Sequence, residues 1–233
     1  VAARLLPSVT VCVLFFGDHA PLARQFLEAW RRYGGGLPLR IGLNACSATT
    51  RTLVEDHLAT SPGSTVICSE VNLGKSGMMR RLLREPHAPN EWVIWFDDDS
   101  FPFRADWLLS LGVAMVADPR VVMLGIPASI PADERLVRLV TSARWYRGRP
   151  LLPAMTPGAV ARLEFILGGF WALKAECLRA LDWPDERLVH FEEDYLLGEA
   201  IRQLGGTLGS CHSGVRIDTA PRRAPPELPR QCA

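Results

Sequence analysis

Lysine is scarce in this chain of 233 residues: of 26 basic side chains only Lys75 and Lys174 are lysines, and no function is read into that bias. The formal net charge is +1, so no dominant field draws the chain to nucleic acid or to a membrane surface. No apolar run approaches the roughly 18–20 residues of a membrane span, and no basic, apolar, small-residue pattern marks a signal peptide. These absences set the expectation of a cytoplasmic protein with no transmembrane segment and no nucleic-acid partner. The six cysteines (Cys12, Cys46, Cys68, Cys177, Cys211 and Cys232) form no CxxC pair and no Cys/His cluster of zinc spacing. Cys12 and Cys68 lie in strand-like runs and read as small buried hydrophobes. The GxxxxGK[ST] phosphate loop is absent, and so are internal repeats.

What is present is enough for a full core: 48% of the residues are hydrophobic, and the length suits one α/β domain. Val9–Phe16, Leu39–Asn44, Ser64–Ser69 and Trp92–Phe96 read as strands, each but the last followed by a helical pattern. Four such strands in about a hundred residues predict a parallel sheet with right-handed crossovers. Beyond them, helix is expected at Trp107–Val116 and strand at Val121–Ile126. Residues 127–162 read as an irregular excursion, and a strand with a glycine kink is expected at Leu163–Leu173. A short helix at Lys174–Leu181 and a longer one at Tyr195–Leu204 follow, then short strands at Thr207–Ser210 and Val215–Ile217. The tail from Ala220, rich in Pro and Arg, reads as a mobile end or linker.

The chain is organised around Trp92-Val-Ile-Trp-Phe-Asp-Asp-Asp-Ser-Phe101. A buried strand gains nothing from Asp97, Asp98 and Asp99 at its end, because their repulsion raises the cost of ionising all three. A divalent cation removes that cost, and oxygen-only ligands select a hard ion, Mn²⁺ or Mg²⁺. An acidic turn capping the next helix needs one such residue and not three. Glu192-Glu193-Asp194, at a helix N-terminus, is a second acidic cluster. Capping explains one of the three, and a general base, with Asp194 ahead of Glu193, explains another. Lys75, in the Asn72-Leu-Gly-Lys75 turn, reads either as a surface lysine or as a ligand of a phosphate or nucleobase. Gly168 and Gly169 allow close approach of a ligand, and Trp171 either stacks on a sugar or fills the core behind a bulge. His212 reads as a third metal ligand or as a polar loop residue.

Together these pieces resemble glycosyltransferases of the GT-A fold, nearest to the family 2 enzymes. The acidic triplet is also similar to the DDD of the fringe-like and β1,3-galactosyltransferase group. Four features carry the likeness: Phe15-Phe16-Gly17, Asn72-Leu-Gly-Lys75, Phe96-Asp-Asp-Asp99, and Gly168-Gly169 followed by Glu193-Asp194-Tyr-Leu-Leu-Gly198. The resemblance implies an α/β, Rossmann-like fold, with a mostly parallel central sheet flanked by helices and a smaller acceptor-side region. It implies one domain over 1–220, with a nucleotide-sugar half at about 9–101, an acceptor half at about 102–217 and a tail at 221–233. A nucleotide-sugar donor, usually a UDP-sugar, is then bound by Phe16, Gly17, Asn44, Lys75, Asp97 and Asp98. The metal falls to Asp97, Asp99 and His212, with Asp99 the more direct ligand, and Asp194 is the base of an inverting transfer. The acceptor, a saccharide, natural product or peptide, meets Gly168, Gly169 and Trp171.

Two rivals stand beside this reading. A nucleotidyltransferase or sugar-nucleotide pyrophosphorylase usually carries a Gly- and Lys/Arg-rich loop after its first strand, which Phe16-Gly-Asp-His19 is not. A degenerate fold kept as a binding module is the non-enzyme alternative. A DxDxT/V phosphatase fails because Phe101 stands at the fifth position.

Overall fold

The computed structural model describes residues 7–85, 90–184 and 193–218. The first half alternates strand and helix: β1 (Val9–Phe16), α1 (Ala20–Tyr33), β2 (Leu39–Asn44), α2 (Ala48–Thr60), β3 (Thr65–Ser69), α3 (Gly74–Leu82) and β4 (Trp92–Asp97). Pro21 sits in the first turn of α1, where its missing N–H costs nothing, and Ala23, Phe26, Leu27 and Trp30 form the buried stripe. Ser47 caps α2 by accepting the Thr50 N–H. The second half holds β5 (Ser100–Pro102), α4 (Trp107–Ala117), β6 (Val121–Ala132), α5 (Glu134–Thr141), β7 (Leu152–Pro153), β8 (Ala161–Lys174), α6 (Ala175–Leu181), α7 (Glu193–Leu204), β9 (Thr207–Ser210) and β10 (Val215–Ile217).

Eight strands make one sheet in the order β3-β2-β1-β4-β8-β6-β9, with β7 paired to β8, while β10 and β5 form a separate two-stranded sheet. The neighbours among β1 to β4 run parallel, as the alternating pattern predicts. β8 then lies antiparallel between β4 and β6, and β9 returns parallel to β6. The architecture is a mixed α/β fold with a mostly parallel central sheet flanked by helices. The expected irregular excursion at 127–162 is partly regular instead: β6 runs on to Ala132, Asp133 caps α5 through the Leu136 N–H, and β8 begins at Ala161. Prolines at 127 and 131 hid the extension of β6. α3 starts at Gly74 rather than Met78, which takes Lys75 into its first turn.

Each face of the sheet has its own core. On one, α1 and α4 cover Phe26, Trp30, Phe96, Trp107 and Phe170, whose rings meet at 5.0–6.4 Å. On the other, residues of α3, α5, α6 and α7 pack over Trp95 and Trp171, which stack at 5.6 Å and 10°. Cys12 is fully buried as expected, whereas Cys68 is exposed because β3 is an edge strand. No helix among the described residues is long and apolar enough to cross a membrane.

Candidate active site

β4 ends at Asp97, and Asp98 and Asp99 lie in the turn that follows it. Asp97 falls on the face of Trp95 and accepts its indole N–H (Trp95 Nε1 to Asp97 Oδ1, 2.9 Å). Its other oxygen accepts from Lys75 Nζ at 2.9 Å. Asp98, also buried, adds to the burial that raises the Cys46 thiol pKa to about 11. Asp99 is half-buried in the turn beyond, and its carbonyl accepts the Asp218 N–H at 2.7 Å.

Lys75 reaches this edge from the first turn of α3 and ties Asp97 to Glu193, whose Oε1 lies 3.1 Å from the ammonium. Burial pulls the Lys75 pKa down, but Asp97, Asp194 and Glu193 together outweigh it and keep the group protonated. The position of Lys75 is set from β2. Asn44, 1% exposed, accepts the Leu73 N–H at 2.9 Å and donates to Asn72 Oδ1 at 3.0 Å and to the Gly74 carbonyl at 3.3 Å. Its amide is spent on the turn that opens α3, so Asn44 acts as a brace and not as a nucleobase contact.

Asp194 is brought in by two glycines. The ladder between β6 and β8 jumps from Gly125–Trp171 to Pro127–Ile166, so Ile126 alone faces residues 167–170 and the β8 backbone bulges there. The Gly168 N–H in this bulge donates to Asp194 Oδ2 at 2.8 Å. A β-carbon at 168 would lie 2.2 Å from Asp194 Oδ1, so only glycine admits the carboxylate. One helical turn on, Gly198 lets α7 lie against β8, since a β-carbon there would stand 2.2 Å from the Glu164 carbonyl oxygen. The Asp194 pKa is raised to about 7, first by burial and then by Glu193 and Asp97, against the lowering pull of Lys75 and the Gly168 N–H. A carboxyl poised there can take a proton near neutral pH.

Several expected site residues do other work. Trp171 is 2% exposed in the stack with Trp95, so no ring face is open to a sugar. Gly168 makes room for Asp194 and not for a ligand, and a β-carbon on Gly169 would press on Ile217 at 3.0 Å. Gly17, at φ +58°, links the ends of β1 and β2 by donating to the Asn44 carbonyl and accepting from the Ser47 N–H, while Phe16 is half-buried against His19. His212 is exposed, and Asp97, Asp99 and His212 are not assembled as a metal cage: among the described residues no three His, Cys, Asp or Glu side chains are grouped to hold an ion. Glu192 and the start of the second acidic cluster lie outside the described residues. Trp95 and Gly198, named in the sequence only inside longer motifs, have individual roles that were not read there. Period-2 spacing from Asp97 pointed to the first, and a glycine inside a helix, costly in itself, pointed to the second.

Fold and site together define a GT-A architecture. Among solved structures that share it, the mannosyltransferase PcManGT from Pyrobaculum calidifontis, in complex with GDP-Man and Mn²⁺, is 20% identical with a TM-score of 0.61, over 90% of this chain and 61% of its own. GalNAc-T7, with UDP, GalNAc and Mn²⁺, is 12% identical with a TM-score of 0.64, over 88% of this chain and 42% of its own. S. aureus TarS 1-349 is 13% identical with a TM-score of 0.55, over 88% of this chain and 58% of its own. The chain thus spans less than two thirds of each of these structures, and at such identities the likeness is one of fold. Neither protein-family profiles nor curated proteins give a match.

Proposed function

We propose that the chain is a metal-dependent glycosyltransferase that moves a sugar from a nucleotide sugar, a UDP-sugar by preference, to an acceptor hydroxyl with inversion. The observation that carries this reading is Asp194: a half-buried carboxyl held by the Gly168 N–H at 2.8 Å at the carboxyl edge of a GT-A sheet, its pKa pushed up to about 7, first by burial. That edge is where ligands bind in open α/β folds. The acceptor oxygen attacks the anomeric carbon as the bond to the diphosphate oxygen breaks. The acceptor's proton passes to Asp194, and the bonding electron pair leaves with the diphosphate. Lys75 holds Glu193 and Asp97 in place and offsets their charge beside the base. The donor half at about 9–101 and the acceptor half at about 102–217 meet along this edge. The acceptor is a saccharide, a natural product or a peptide.

The donor chemistry of the site fits a divalent cation in a restricted sense. Asp97, Asp99 and His212 are the residues that would hold it; each Asp97 oxygen already accepts one hydrogen bond and keeps a further lone pair for an ion. Few protein ligands suit Mn²⁺ or Mg²⁺ arriving with a diphosphate, since such ions take one or two carboxylates plus substrate oxygens. When bound, the ion stabilises charge on the leaving group as a Lewis acid. The internal engagement of Asp97 also favours a second reading, a nucleotide-binding module without turnover.

A thermal-shift series of UDP, GDP and their sugars, with Mn²⁺, Mg²⁺ or EDTA, tests the donor site, because ligand binding raises apparent stability by mass action. The expected result is a metal-dependent shift with a uridine nucleotide that disappears in Asp99→Ala. No shift with any nucleotide under any metal rejects the donor site. A shift without transfer to any acceptor selects the binding module, and a product that retains the donor's anomeric configuration rejects inversion.

A further inference from the structure

Three guanidinium groups converge on one carboxylate at the C-terminal end of α6. Asp182 holds the left-handed conformation there (φ 51°, ψ 44°). Its two oxygens each accept from Arg80 Nη2 at 3.3 Å, one accepts from Arg84 Nη2, and one meets Arg144 Nη2 at 3.5 Å. Arg80 is a structural staple, since it also donates to the carbonyls of Asp182 at 3.4 Å and Pro184 at 2.9 Å. Arg84 and Arg144 differ from it. Their side chains are 49% and 69% exposed, they come from separate segments after α3 and after α5, and each is tied to the fold through Asp182.

Among the described residues the three guanidinium groups share the one carboxylate of Asp182, and Arg84 and Arg144 stay open to solvent around it. Each guanidinium carries five N–H donors in a planar fork that suits phosphate oxygens, and Asp182 takes few of those belonging to Arg84 and Arg144. The basic surface continues beside them. The face of α5 that leads toward Arg144 in the chain carries Arg135 and Arg138, which with Leu139, Thr141 and Ser142 line a shallow, open depression.

We propose that Arg84 and Arg144, with the adjoining polar face of α5, form an anion site for a phosphate-bearing ligand, separate from the candidate active site. Asp182 stands in for the anion when none is bound and yields to it by losing its hold on the two exposed arginines. The proposal does not rest on the transferase reading, and its test involves neither nucleotide nor metal.

The test is titration calorimetry of the full chain with long-chain polyphosphate and, separately, with inorganic phosphate at low salt. Polyphosphate binding should weaken about tenfold or more in the Arg84→Gln/Arg144→Gln double variant, since charge-assisted hydrogen bonds are lost. Asp182→Asn should bind more tightly, because asparagine tolerates the left-handed backbone while removing the competing charge. Arg120→Gln, an exposed arginine on Asp118, should bind as the native chain does. Inorganic phosphate competing to completion identifies a free anion as the ligand, and its failure to compete identifies phosphate carried on a chain. No polyphosphate binding by the native chain, equal loss in Arg120→Gln, or weaker binding in Asp182→Asn overturns the proposal.

Discussion

The two faces of the sheet, each with its own buried core, solve different problems. The face under α1 and α4 is packed with aromatic rings, and its buried His57 sits without a hydrogen-bond partner at either ring nitrogen. The face under α3 and α7 joins the Trp95–Trp171 stack to Asp97 through the Trp95 indole, and Lys75, Asp97, Glu193 and Asp194 each have a named partner there. The first face therefore governs whether the chain folds. The second governs what it can do once folded, because buried charges are tolerated only in a fixed arrangement.

The largest effect that would break this division is on the aromatic face. Phe26→Ala removes a fully buried ring that touches Phe15, Trp30 and Phe96, and should cost about 3–5 kcal/mol in urea unfolding. Asp194→Asn should do the reverse. Transfer is expected to fall by about 10²–10⁴-fold, the usual contribution of a general base, while the fold survives. Its stability should also respond to pH in a particular direction. Because the folded pKa of Asp194 is raised to about 7, its contribution is fully present below the unfolded value and lost as pH rises through 7. Asp194→Asn should therefore melt higher than the native chain at pH 8 and lose that advantage at pH 4. Native activity should rise with pH through about 7 as the base deprotonates.

Smaller effects sharpen the same contrast. Asn44→Ala strips the brace from the turn before α3 and leaves the Leu73 N–H without its acceptor, at about 1–3 kcal/mol. Since Lys75 follows that turn, the pH–rate midpoint should move as well, whereas Phe26→Leu should leave it in place. The smallest expected effect concerns His57, whose pKa is lowered by burial and by Arg31. Its contribution is present above the unfolded value and lost as pH falls, so His57→Leu should flatten the stability decline that begins below about pH 6.5.

The parallel half of the fold was legible because each unit repeats a local signal: a β-branched or aromatic run, a turn, and a 3.6-residue stripe such as Phe26–Trp30. The second half was less so. β6 carries Pro127 and Pro131 in a strand that pairs through Ala132, and the bulge opposite Ile126 is a property of two strands that neither sequence records alone. At the site, the presence of Asp97, Lys75 and Asp194 could be read, but their roles could not. Whether Asn44 or Trp171 faces a ligand or the core depends on which residues lie across from them, Asn72 in one case and Trp95 in the other. Which of Asp97, Asp98 and Asp99 share a face was not legible, because β4 ends at Asp97 and the other two lie in the turn beyond it.

Gly198 carries a mechanical consequence. With no side chain between α7 and β8, the helix has no cushion of rotamers on which to slide or roll, so its register against the strand is fixed by backbone contact. Asp194 is thus mounted on the frame of the sheet itself. Under the proposed transfer, laboratory selection for new acceptors should leave Gly198 and Gly168 untouched.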